Sequence, residues 1–126
     1  RGRHLIAVRA DLLVRKPGWF AARRSAAVAL HLPLIGPLPA VPQLVTDRTA
    51  RANDRHRRVA PLPAGHTGTR DGIPVTSLSR TTVELAGEEP FLNAVVVADA
   101  VLGLGVRAEL LAELLGHLRA VRLVLG

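Results

Sequence analysis

The stretch Gly72–Ala86 changes period part-way along, and that change constrains the fold of this 126-residue chain more than any other feature. It reads Gly-Ile-Pro-Val-Thr-Ser-Leu-Ser-Arg-Thr-Thr-Val-Glu-Leu-Ala. Ile73 and Val75 are extended-type residues. Pro74 between them pushes its predecessor toward extended geometry and cannot donate to a strand ladder. Thr76 and Ser77 then offer side-chain oxygens where a helix must satisfy its first free N–H groups. Leu78, Thr82, Leu85 and Ala86 follow at helical spacing. This is a capped strand-to-helix junction, so the chain combines sheet and helix.

Composition limits what that combination can be built from. Hydrophobic residues make up 48% of the chain but aromatics only 2%, namely Trp19, Phe20 and Phe91. The core is therefore expected to be Leu, Val, Ala and Ile, in a chain long enough for one domain. So few rings disfavour the modules that splay single-stranded nucleic acid onto aromatic platforms. The absence of cysteine excludes disulfides and thiolate zinc sites. The apolar run behind Arg1–His4 is broken by Arg9 and Asp11, so no secretory signal is evident. No run approaches the roughly 18 apolar residues of a membrane span, and a cytoplasmic location is the default. The chain opens at Arg1 and contains no Met, which reads as a fragment or a processed product.

The net charge of +7 is unevenly placed. Residues 1–58 carry 12 basic and 3 acidic side chains, or +9, and residues 59–126 carry 5 and 7, or −2. All the bases except Lys16 are arginines, whose planar fork suits phosphate and carboxylate. An arginine-biased basic half points to nucleic acid or an acidic partner. Arginine carried by default in a chain from a GC-rich genome is the competing explanation.

Along the chain, His4–Arg15 reads as a helix with Leu5, Val8, Leu12 and Leu13 on its apolar side, ended by Pro17 and Gly18. Trp19 and Phe20 read as a core or inter-helix plug. A second short helix spans Arg23 or Arg24 to Leu32. It is Ala-rich and lacks base-reading side chains beyond Arg23 and Arg24, which argues for phosphate contact over groove reading. Val41–Thr46 reads as an edge strand because of Pro42, and Val59–Leu62 as its partner. Between them lies a polar loop with Arg48, Arg51, Arg55, Arg57 and Arg58. Pro63–Gly72 reads as a turn region, Phe91–Leu104 and Val106–Leu118 as helices, and Arg119–Gly126 as a last strand or frayed helix. The expectation is an α+β domain, a small antiparallel sheet (about 41–46, 59–62 and 73–76) packed against several short helices.

Gly72–Ala86 resembles the pattern Gly-(Ile/Leu)-Pro-Val-Thr-Ser-x-x-Arg-Thr-x-x-(Asp/Glu)-Leu-Ala of the AbiE-type (type IV) antitoxin-like proteins common in actinobacteria. Some of those carry an appended Vsr-like nuclease domain. Ser25–Gly36 (Ser-Ala-Ala-Val-Ala-Leu-His-Leu-Pro-Leu-Ile-Gly) is similar to the family's Ser-Ala-Ala-x-x-Leu-His-Gly-Leu-Pro-Leu-x-Gly, without the glycine after His31. Ala98–Leu102 followed by Gly105 is similar to Ala-Asp-x-Ala-Leu-x-x-Gly, with a small shift. The resemblance spans roughly residues 10–115. It implies that residues 1–126 are the single, middle antitoxin module. A winged-helix domain would precede it, and in some members a nuclease-like domain would follow.

What the resemblance implies is a non-enzymatic antitoxin-like or transcription-regulator role, with DNA binding assisted by the arginine-rich half. The candidate DNA contacts are Arg23, Arg24, Arg48, Arg51, Arg55, Arg57 and Arg58. Ser25, Thr76, Ser77, Arg80 and Thr81 are read as structural polar residues, with Arg80 docking the preceding loop. The implied functional partner is a nucleotidyltransferase-like toxin, neutralised without a stable complex. Two other readings stand beside it: a non-catalytic accessory domain of a Vsr-like endonuclease, and a dimerisation module built on the leucine face of 106–118.

The chemistry needed for catalysis is not legible. A restriction-type nuclease needs an acidic pair with a nearby lysine to hold its metal, and Lys16 has no carboxylate at that offset. His4, His31, His56, His66 and His117 show no paired metal spacing. Ser25 lacks a glycine-flanked elbow, and Gly65-His66-Thr67-Gly68 is turn chemistry rather than a phosphate loop. No metal, cofactor or membrane partner is expected.

Overall fold

The computed structural model describes residues 1–48, 56–89 and 91–105. Helix α1 (Gly2–Leu13) leads into strand β1 (Trp19–Ala21), and Gly18 makes the turn with φ of 107°. Helix α2 (Arg23–Ala29) follows at once. It closes with Leu32 N–H on Ala27 O and His31 N–H on Val28 O, and His31 itself takes the left-handed position (φ 59°). That is a Schellman ending, in which a glycine usually stands at the left-handed residue.

Strands β2 (Leu44–Thr46), β3 (Arg57–Val59), β4 (Thr67–Arg70) and β5 (Ile73–Thr76) come next, then helices α3 (Leu78–Glu88) and α4 (Phe91–Gly103). The fold is α+β. The five strands lie in the order β3-β2-β1-β5-β4.

The sheet is mixed rather than antiparallel. β1 runs antiparallel to β2 (Ala21 opposite Leu44) and parallel to β5 (Ala21 opposite Val75). β2 and β3 are parallel, with Leu44 opposite Arg57, so they are not the hairpin expected from 41–46 and 59–62. The antiparallel expectation failed because the chain between β2 and β3 returns them in parallel and because the central β1 pairs parallel to β5; two strands, β1 and β4, were also not expected. β1 is three residues long, too short for alternation to show, yet it occupies the centre of the sheet. β4 was taken for turn, although Asp71-Gly72 is the strongest short hairpin signal a sequence carries. Both residues have positive φ (51° and 78°), the type I′ geometry that matches strand twist.

One core cluster joins Val8 of α1, Ala21 of β1, Ala26, Ala27 and Ala29 of α2, Ile73 and Val75 of β5, Leu85 of α3, and Val97 and Val101 of α4. Alanines at the centre let α2 approach the sheet closely. On α1, Leu5 and Leu12 pack against the cluster but Leu13 faces solvent. On α3, Ala86 is exposed, while Arg80, Thr81, Thr82 and Val83 are buried. The helix expected at 106–118, the segment 119–126, and Arg51 and Arg55 lie outside the described residues.

Candidate nucleic-acid interface

The β1–α2 turn is closed by a residue from another segment. Gln43 accepts the Ala22 N–H on its main-chain oxygen and the Arg24 N–H on Oε1, and donates its own N–H to Ser25 Oγ, each at 2.9 Å. These bonds hold Arg23 at φ 50°, a region that costs a residue with a Cβ on the order of 1 kcal/mol or more. Ser25 is fully buried, and its Oγ also lies 2.8 Å from His4 Nε2, tying α1 to α2. Burial, then the terminal amine and Arg24, hold His4 below its ordinary value of 6.5. No substrate can reach a serine so enclosed, so this pair acts as an inter-helix tie rather than as nucleophile and base.

Glu84 and Glu88 of α3, and Glu89 at its C-cap, face arginines of α3 itself, α2 and β3. Arg80, 2% exposed, donates from Nη1 to Pro61 O and bonds His66 Nδ1, both at 2.9 Å. A guanidinium has no acceptor, so His66 Nδ1 carries the lone pair here. Arg80 Nε lies 3.3 Å from Glu84 Oε1, without hydrogen-bond alignment. Burial raises Glu84 above its ordinary value, opposed chiefly by the Arg80 charge. One turn on, Glu88 pairs with Arg58 and lies 3.7 Å from Arg23 Nη1. Arg23 is 3% exposed and also donates to His56 O at 3.1 Å. Burial and the neighbouring Arg58 lower its pKa from the usual guanidinium value, and Glu88 works against them. Arg24 bonds Glu89 at 2.8 Å and the Ile35 carbonyl at 3.0 Å.

The capping groups complete this side. Ser77 Oγ accepts the Arg80 N–H at 3.1 Å, the N-cap of α3. The Thr76 and Thr81 hydroxyls meet at 2.7 Å, joining the end of β5 to the first turn of α3.

A second set of cations gathers where α1 meets the sheet. Arg15 donates from Nε to Asp11 Oδ1 at 2.8 Å, and its guanidinium carbon sits 5.0 Å from the Trp19 ring centroid. Lys16 is exposed beside it. Arg48 is exposed and lies over Gly18: a Cβ built on that glycine would stand 2.9 Å from Arg48 Nε. The Thr46 hydroxyl donates to Gly18 O at 2.7 Å and accepts the Arg48 N–H at 3.3 Å. Arg57 is half-buried, with Nη2 3.9 Å from the second oxygen of Asp11.

The structure thus separates residues that the sequence reading grouped as one basic surface. Arg23, Arg24 and Arg58 face acids of α3 and its C-cap, whereas Arg48 stands on the rim with Arg15 and Lys16. Arg57 and Arg58 are neighbours in a strand, so they project to opposite faces, one toward α1 and the other toward α3. Sequence reasoning passed over Gln43, His4, Asp11, Arg15 and Thr46. Only the Asp11–Arg15 pair, four apart on a helix, carried a local signal. Among the described residues no group of histidines and carboxylates could hold a metal ion, and no helix is long and apolar enough to cross a membrane.

No protein-family model, curated protein or solved structure matches this chain.

Proposed function

We propose that this chain is a non-catalytic, antitoxin-like regulatory module, cytoplasmic, that works against duplex DNA through its arginine-rich first half. The observation that carries the reading is the sorting of its cations. The acids of α3 and its C-cap Glu89 engage Arg23, Arg24, Arg58 and Arg80, while Arg1, Arg3, Arg9, Lys16 and Arg48 of the first half stay exposed. A protein surface left with such a surplus of cations attracts the phosphate backbone irrespective of sequence. The likeness of Gly72–Ala86 to the type IV antitoxin pattern supports the regulatory role, with a nucleotidyltransferase-like toxin as functional partner.

The test is fluorescence anisotropy of a labelled duplex titrated with the protein at low and rising salt. Weak binding that falls log-linearly with salt is expected. A flat trace at low salt would reduce the basic half to a solvated face and remove the reading.

A further inference from the structure

We infer that Arg15, Lys16 and Arg48 form a preorganised phosphate clamp for the duplex backbone, in which Asp11 and Thr46 are positioning residues. This rests on the DNA reading above and names the site that performs it.

The geometry of Arg15 is the first reason. Asp11 takes only its Nε. The two Nη atoms bond no described residue, and neither is a buried polar atom without a partner, so they open to solvent. A guanidinium held end-on in this way presents its outer fork, the edge that binds a phosphate bidentately. The Arg15 guanidinium carbon rests over the Trp19 ring. Arg15 covers one face of that ring, which takes that face from a base and favours backbone contact over base stacking.

Arg48 supplies the second prong, and its main chain is held in place. Its side chain lies over Gly18, and its main chain is tied to Thr46 Oγ1. The same hydroxyl grips Gly18 O, so one threonine sets the turn that carries Lys16 and the strand end that carries Arg48. Most surface arginines lose side-chain freedom when they bind an anion. Here Asp11 and Trp19 impose that ordering on Arg15 before the ligand arrives, which is the gain from preorganisation, and Thr46 sets the backbone that carries Arg48.

The experiment is anisotropy of a labelled duplex of about two helical turns, with melting curves run on every variant. Arg48→Ala is expected to weaken binding about tenfold and to lower the salt slope by about one. Arg70→Ala removes the same charge from β4 at the far edge of the sheet, outside the basic first half, and is expected to change affinity far less. Asp11→Asn is the sharper variant. It raises the net charge by one, so a surface that only counts charge would bind more tightly. A positioned clamp binds more weakly, and Asp11→Glu restores it.

Equal losses in Arg48→Ala and Arg70→Ala would overturn the clamp and leave the DNA reading intact, as would tighter binding by a folded Asp11→Asn. No binding by the unaltered protein at low salt overturns both.

Discussion

Arg80 and Arg48 bear the same charged group, and the fold uses them in opposite ways. Arg80 is enclosed between α3 and the segment before β4, where every partner is internal: Pro61 O, His66 Nδ1 and Glu84. Arg48 lies on a glycine at the sheet's rim with its charged end in solvent. The difference shows that charge count is a poor guide to interface in an arginine-rich chain. Much of the basic character is matched inside the molecule by α3, and what remains for a partner is set by which acids the topology brings near.

The largest expected effect comes from breaking the enclosed set. Arg80→Ala strands the buried Glu84 carboxylate and frees the Pro61 carbonyl. The expected cost is about 3 kcal/mol, since removing one member of a buried ion pair leaves an uncompensated charge. Arg48→Ala should stay within about 0.5 kcal/mol, as exposed substitutions do. Thermal or urea unfolding of the two variants checks this. Equal and small losses would dissolve the contrast between the two arginine sets.

A smaller effect follows from the tie between α1 and α2. His4 has a lowered pKa in the folded protein, so the unfolded chain binds its proton first as pH falls. The stability that His4 contributes is present above its unfolded value of 6.5 and declines as pH drops through and below it. Glu84, with its raised pKa, acts in the opposite sense and is untouched by a change at residue 4. Melting temperature should therefore fall between pH 7.5 and 5.5 more steeply in the unaltered protein than in His4→Gln. Parallel slopes would mean that His4 titrates freely.

The smallest of the three is local. Ser77→Ala removes the N-cap of α3 and should cost about 1 kcal/mol in the same unfolding assay. A neutral result would mean that the Thr76–Thr81 contact alone holds the junction.

Legibility in the sequence followed the range of the interactions. The Ser77 cap and the start of α3 depend on residues a few positions apart, so propensity and capping rules reach them, whereas the first helix ends at Leu13, short of the Pro17-Gly18 stop. The Asp71-Gly72 turn was equally local and was passed over because the flanking Thr67–Arg70 carries no apolar alternation. β1 could not be read locally. Three residues define no period, and Trp19–Ala21 is a strand because Leu44–Thr46 and Val75 lie on either side of it. The cation rim was invisible for the same reason, since Arg15 and Arg48 meet through Gly18, Trp19 and Thr46, which the sheet brings together.

The sequence by itself determined that this chain mixes sheet with helix, builds its core from Leu, Val, Ala and Ile, and turns from strand to capped helix at Gly72–Ala86. Those properties arise from periodicity, composition and neighbouring polar groups. Tertiary structure alone decided that the sheet is mixed with β1 at its centre, and which arginines are enclosed and which are offered. Strand pairing and ion pairing act between residues far apart in the chain, and their outcome depends on where the fold places each carboxylate.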